Sequence, residues 1–135
     1  MTKPPTFADP ANPTPEELTT WAYTRNAPAP FDQDWDIILT RPAFGPLFLS
    51  LAADRKCPNR RFFLGCLYLL AGTAVRSHFR TMPEAALTAL THQATSPANP
   101  WTTTWATRTR ALLRSPESFT YTAWCTPQGL AARPT

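Results

Sequence analysis

Cys57 follows Arg55 and Lys56 and precedes Pro58, at the head of a strongly apolar run. Neighbouring cations and a helix N-terminus both stabilise a thiolate, so this spacing describes a thiol of lowered pKa, reactive or redox-sensing. No histidine lies nearby in sequence to act as its base. An ordinary loop cysteine fits the same residues. A second set of candidates is cationic. Arg60 and Arg61 stand at one end of the apolar run, and Arg76, His78 and Arg80 at the other. As one helix, the 16 residue-to-residue steps from Arg60 to Arg76 span about 24 Å. The two clusters are then too far apart for one small anion but could follow an extended polyanion.

The third set interleaves aromatics, hydroxyls and arginines: Trp101-Thr-Thr-Thr-Trp105-Ala-Thr-Arg108-Thr-Arg110, with Arg114 a turn further on. Tryptophan and arginine together stack bases and hold phosphates, and both are enriched at the hot spots of protein interfaces. At helical spacing Trp101, Trp105, Arg108 and Leu112 share one face, and Arg110 and Arg114 share another. A face of that kind is equally suited to packing inward.

Other chemistry finds no footing. The chain has no Gly-x-Ser-x-Gly elbow, phosphate loop, His-Glu-x-x-His or Cys-x-x-Cys. Asp32-Gln-Asp34-Trp-Asp36 begins like a calcium loop but puts Ile37 at the sixth position and Ala43 at the twelfth. A zinc site would have to gather Cys57, Cys66, Cys125, His78 and His92 from several helices. No metal and no cofactor is expected.

Charge divides the chain. Residues 1–54 carry seven acids and three bases; residues 55–135 carry ten bases and two acids, leaving +4 overall. The basic part suits an acidic protein or a nucleic acid, unless the acidic part folds onto it and neutralises it. The first residues lack the apolar core of a signal peptide. The longest apolar stretch, Phe62 to Val75, is shorter than the roughly 20 residues a membrane span needs. Three cysteines, an odd count, suit reduced thiols, so a cytoplasmic location away from membranes is expected.

The elements that must position these residues are helices. With 135 residues, 43% hydrophobic, 16 prolines and only 4 glycines, the composition fits one globular helical domain better than a glycine-turned β fold. Residues 1–13, rich in proline, read as an arm and residues 14–135 as the domain. Prolines fall where helices open, at the position where a missing N–H costs nothing. Thr14-Pro15-Glu16-Glu17 predicts a first helix to about Asn26, capped by threonine with acids at its positive end. A segment from Asp32 carries Trp35, Ile38 and Leu39, and Pro42 opens a helix with Phe44, Leu47, Phe48 and Leu51. Cys57-Pro58-Asn59 opens the central helix, apolar on more than one face and running to about Phe79. Met82-Pro83-Glu84 and Asn99-Pro100 open two more. Ser115-Pro116-Glu117 predicts a last one, although residues 116–126 also alternate like a strand. Proline spacings of 41 to 43 residues hint at stacked helix pairs. The expectation is thus an all-α bundle or short stack of about five to six helices.

The function expected of such a chain is non-catalytic binding of another, acidic protein, as an adaptor, regulator or toxin-neutralising partner. Its surface would be Trp101, Trp105, Arg108, Arg110 and Arg114. Nucleic-acid binding through the basic second part is the alternative, and an enzyme or redox sensor using Cys57 the third reading.

Overall fold

A computed structural model describes residues 7–26, 35, 39, 41–119 and 124. Among them the chain forms five α-helices, two short 3-10 turns and no strand. The helices are α1 (Pro15–Ala22), α2 (Gly45–Ala53), α3 (Arg60–Arg76), α4 (Glu84–Ala94) and α5 (Pro100–Arg114). Consecutive helices pair, α2 with α3 and α4 with α5, and the two pairs pack on each other with α3 against α5. The result is a bundle around α3, on which Phe63, Cys66, Leu67, Leu70, Ala71 and Ala74 are fully buried.

α1 begins as expected. Thr14 Oγ1 accepts from the Glu17 N–H at 3.1 Å, and Glu17 Oε1 accepts from the Thr14 N–H at 2.9 Å, a reciprocal cap that satisfies two otherwise orphaned donors. The other Glu17 oxygen accepts from the Ala8 N–H at 2.9 Å. The N–H groups of Thr14 and Ala8 hold the Glu17 carboxyl below its ordinary pKa. The arm is thereby fastened from residue 8 onward. Phe7 lies edge-on to Trp35 at 5.4 Å, Trp35 Nε1 donates to the Pro10 carbonyl, and Arg41 donates to Asn12 and to the Ala11 carbonyl.

α1 ends at Ala22 rather than near Asn26 because another loop takes its last carbonyls. Asn59 Nδ2 donates to the carbonyls of Trp21, Ala22 and Thr24. This use of Asn59 also shortens α3. The central helix starts at Arg60 instead of at Cys57-Pro58, and it stops at Arg76 instead of Phe79. There His78 (φ 55°) and Phe79 (φ 63°) turn into the left-handed region, letting the Phe79 N–H reach the Ala74 carbonyl at 2.7 Å.

The helix expected from Pro42 is split. Pro46 has no N–H to return to the Pro42 carbonyl, so Pro42–Phe44 closes as a 3-10 turn before α2 begins. Gly45 allows α2 to approach α4: a Cβ there would stand 2.8 Å from Leu90 Cδ1. The proline spacing therefore marks no repeat. Pro15 and Pro100 open helices, Pro83 stands one residue before α4, and Pro58 lies outside α3.

At the start of the last expected helix the described residues form a 3-10 turn at Pro116–Ser118, after which Phe119 is extended (φ −65°, ψ 126°). The helix-or-strand question over residues 120–126 lies outside the described residues apart from Trp124, as does most of the segment from Asp32. Trp35 and Leu39 of that segment are buried, and the Leu39 N–H donates to the Trp35 carbonyl, one helical turn back. Aromatic rings gather there: Trp21 meets Trp35 at 4.9 Å, Phe62 at 5.1 Å and Phe63 at 5.8 Å.

Candidate functional site

The arginines and tryptophans of α5 serve different ends of the molecule. Trp105 is fully buried in the core and offers a partner no surface, which removes it from the expected interface. Thr109, one turn on, is buried as well. Arg108 lays its guanidinium over Tyr68 at 5.0 Å and Trp124 at 5.1 Å. Arg110, half-buried, donates to the Thr91 carbonyl at 3.1 Å and to Thr95 Oγ1 at 2.7 Å, closing the end of α4. Arg114 alone of the three expected arginines is exposed.

The hydroxyls between the tryptophans are engaged too. Thr102 Oγ1 donates to the Ala94 carbonyl at 2.9 Å, and Thr103 Oγ1 donates to the Ser96 carbonyl at 2.8 Å while accepting from the Ser96 N–H. They satisfy the backbone where α4 ends and the chain turns into α5. A run that resembled an open aromatic surface is mostly the fastening between two helices.

Cys57 also departs from expectation. Its thiol is buried and donates to the Ala22 carbonyl at 3.3 Å. The nearest helix start is Arg60, three residues on. Burial is the largest effect and pushes the thiol pKa up; the Asn59 N–H opposes it, Asp54 adds to it, and Arg60 opposes it least. A lowered, reactive thiol is therefore not what this loop builds. Among the described residues no group of three or more His, Cys, Asp or Glu is placed to hold a metal.

The second cationic set comes apart as its spacing requires. Arg76 and His78 border a hollow of about 410 Å³ with Val75, Pro116, Glu117 and Phe119, where Glu117 sets a negative charge beside Arg76. Arg80 donates through Nε to the Ser77 carbonyl. At the opposite end of α3, Arg60 leaves Arg61 exposed beside it and turns to Trp101. Its guanidinium carbon lies 4.0 Å from the centre of the indole, a close cation–π stack.

That stack forms one wall of a cleft of about 350 Å³ lined by Arg55, Arg60, Asn99, Pro100 and Trp101. Three segments build it. The loop after α2 supplies Arg55, whose Nη2 donates to the Ala98 carbonyl at 3.0 Å. The first turn of α3 supplies Arg60, and the first turn of α5 supplies Trp101. Asn99 binds the parts together: Nδ2 donates to the Ala53 carbonyl at the end of α2, while Oδ1 accepts from the Thr102 N–H at 3.1 Å. Among the described residues the lining of the cleft has two guanidinium groups and no carboxylate.

Lys56 and Arg61 are exposed beside the cleft residues in sequence, and Arg25 follows Thr24, whose carbonyl Asn59 holds. Asp54, the one acid in this loop, faces Tyr23, whose hydroxyl donates to Asp54 Oδ2 at 2.5 Å. That bond, with the Lys56 N–H, keeps the Asp54 carboxyl below its ordinary pKa. The same bond is the largest cause pushing the Tyr23 phenol up to about 12.

The structure thus joins one member of the cationic set, Arg60, to one of the aromatic set, Trp101. It adds Arg55, Asn99 and Pro100, which the sequence did not single out. The Arg55-Lys56 pair was visible, but its meaning depended on a helix from a distant part of the chain. Comparison of this chain with protein-family models, with curated proteins and with solved structures gives no match.

Proposed function

We propose that this is a non-catalytic helical protein that works by binding another, acidic protein through its Arg55–Arg60–Trp101 end. One observation carries the reading: among the described residues, the lining of an open cleft holds two guanidinium groups and no acid. Two positive charges lining one cleft favour an anionic occupant. Arginine and tryptophan are also the residue types that dominate protein interfaces. Lys56 and Arg61, next in sequence to the cleft arginines and exposed, add the long-range attraction that speeds encounter with an acidic surface. No described helix is long and apolar enough to cross a membrane. Cys57 and Cys66 are free thiols, which goes with a reducing, cytoplasmic setting.

The test is capture of partners from native lysate by the whole chain, at low and at moderate salt. Arg55→Glu with Arg60→Glu should abolish capture, whereas Arg110→Glu with Arg114→Glu should leave it intact in folded protein. Capture that survives the first pair refutes this surface. Captured material that is nucleic acid, released steeply as salt rises, refutes the class of partner.

A further inference from the structure

We infer that the cleft is a carboxylate socket, which receives one glutamate or aspartate side chain of the acidic partner between Arg55 and Arg60. This inference rests on the protein-binding reading above and names the group that reading requires. The argument begins with the stack. A guanidinium lying flat on an indole exposes its edge, and the edge carries the N–H groups that fork onto a planar carboxylate. The Arg60 guanidinium makes no hydrogen bond to any described residue and rests on the Trp101 ring. The stack holds it in the lining of the cleft with its donors available to a ligand. Arg55 is fixed by a single bond to the Ala98 carbonyl, which leaves most of its five donors for a ligand. Both arginines are therefore pre-ordered, so a ligand need not immobilise them at its own cost.

The start of α5 favours a carboxylate over a phosphate. Helix N-termini hold phosphates by presenting several backbone N–H groups to a tetrahedral anion. Here Pro100 has no N–H, the Thr102 N–H is bound by Asn99 Oδ1, and the Thr103 N–H donates to the Asn99 carbonyl. The cleft recognises with guanidinium edges, not with an amide cradle. Pro100 and the Trp101 ring supply apolar surface against which the methylenes of an acidic side chain can lie.

The experiment titrates an N-acetylated, C-amidated tetraglutamate peptide into the full chain labelled with ¹⁵N at arginine and tryptophan. Inorganic phosphate and a short oligothymidylate serve as parallel probes at matched ionic strength. The peptide should shift the side-chain N–H signals of Arg55, Arg60 and Trp101 to saturation. Arg60→Gln should weaken it by about tenfold or more, as expected for losing a charge-assisted fork. Arg60→Lys should weaken it nearly as much, because lysine keeps the charge but neither the fork nor the flat stack. Arg114→Gln, an equal loss of charge elsewhere, should change nothing. Equal weakening by Arg114→Gln would reduce the effect to diffuse attraction and overturn the socket, as would the absence of saturation. Tighter binding of phosphate or of the oligonucleotide overturns the socket too. If the peptide fails while protein capture in the lysate experiment persists, the socket falls and the protein-binding reading stands. If the oligonucleotide wins in both experiments, both fall.

Discussion

The first turn of α5 and the turns that follow it put tryptophan and arginine to opposite effect. In the first turn Trp101 is half-buried and supports Arg60 at the lining of the cleft. One turn later Trp105 is fully buried, and beyond it Arg108 and Arg110 are turned onto aromatic rings and the carbonyls of α4. Composition alone treats these as one basic, aromatic stretch. The difference lies in what each arginine meets across the helix interface. Arg110 finds acceptors on α4 and fastens the helix pair, whereas Arg60 rests on a ring face at the lining of the cleft.

The largest effect should separate the tryptophans. Trp105→Ala should lower stability by about 3–5 kcal/mol, as for other large aromatics removed from a core, and Leu67→Ala on α3 by about 2–5 kcal/mol. Trp101→Ala should cost no more than about 1.5 kcal/mol, since the ring is only half-buried. Denaturant midpoints measure all three. Equal losses at positions 101 and 105 would erase the contrast between the first turn and the rest.

Next comes the arginine contrast. Arg110→Gln should destabilise by roughly 1–2 kcal/mol by withdrawing donors from the Thr91 carbonyl and Thr95, while leaving peptide binding unchanged. Arg55→Gln should do the reverse, with little loss of stability and a severalfold loss of affinity. A mirror-image result would place the ligand at the far half of α5.

A similar magnitude attaches to the arm. Residues 1–13 offer Phe7 as their only large aromatic group, and on sequence grounds their removal should cost little. The Phe7–Trp35 contact and the Arg41 bonds to Asn12 and Ala11 instead put the cost of starting the chain at Thr14 at roughly 1–3 kcal/mol. A truncated chain with an unchanged midpoint would show those contacts to be idle.

Much of the fold was legible because it is local. Thr14 to Glu17 and Asn99 to Thr102 are caps written within three residues, and the apolar period of residues 62–75 marked the central helix. What escaped were the partnerships that cross the chain. Asn59 looks like the start of its own helix, yet it closes one that ends 37 residues earlier at Ala22. Cys57 sits between cations in sequence, but its thiol faces a carbonyl in a buried pocket. Arg60 was legible as a cation and Trp101 as a ring that could face either outward or inward; that each completes the other depends on how α3 and α5 meet.

The smallest effects concern Asp54, the acid that would otherwise compete for the cleft arginines. Its folded pKa is depressed, so the Tyr23–Asp54 bond contributes above the ordinary carboxylate range, and the contribution fades as pH falls through the depressed value. The Tyr23 phenol is raised, so the contribution holds below the ordinary phenol pKa and fades as pH rises through about 12. An ultraviolet titration should contain a late phenolate step that Tyr23→Phe removes. The same substitution frees Asp54 to screen its basic neighbours and should weaken peptide binding roughly two- to threefold. Unchanged affinity would mean that Asp54 stays out of reach of the cleft with or without its tyrosine.

Gly72 shows how one missing atom ties distant positions into a single inherited unit. A Cβ there would stand 2.8 Å from Phe119 Cε2 and 3.1 Å from Trp124 Cδ1, while Trp124 itself donates to the Tyr68 carbonyl one turn earlier on α3. Positions 72, 119 and 124 are therefore not free to drift separately. A lineage that acquires alanine at 72 must accept a smaller ring at 119 or shift the segment after α5. The reverse order, small ring first, is the passable route, because a cavity is tolerated where a clash is not. In any set of descendants these three positions should change together, with the ring at 119 shrinking before the glycine is lost.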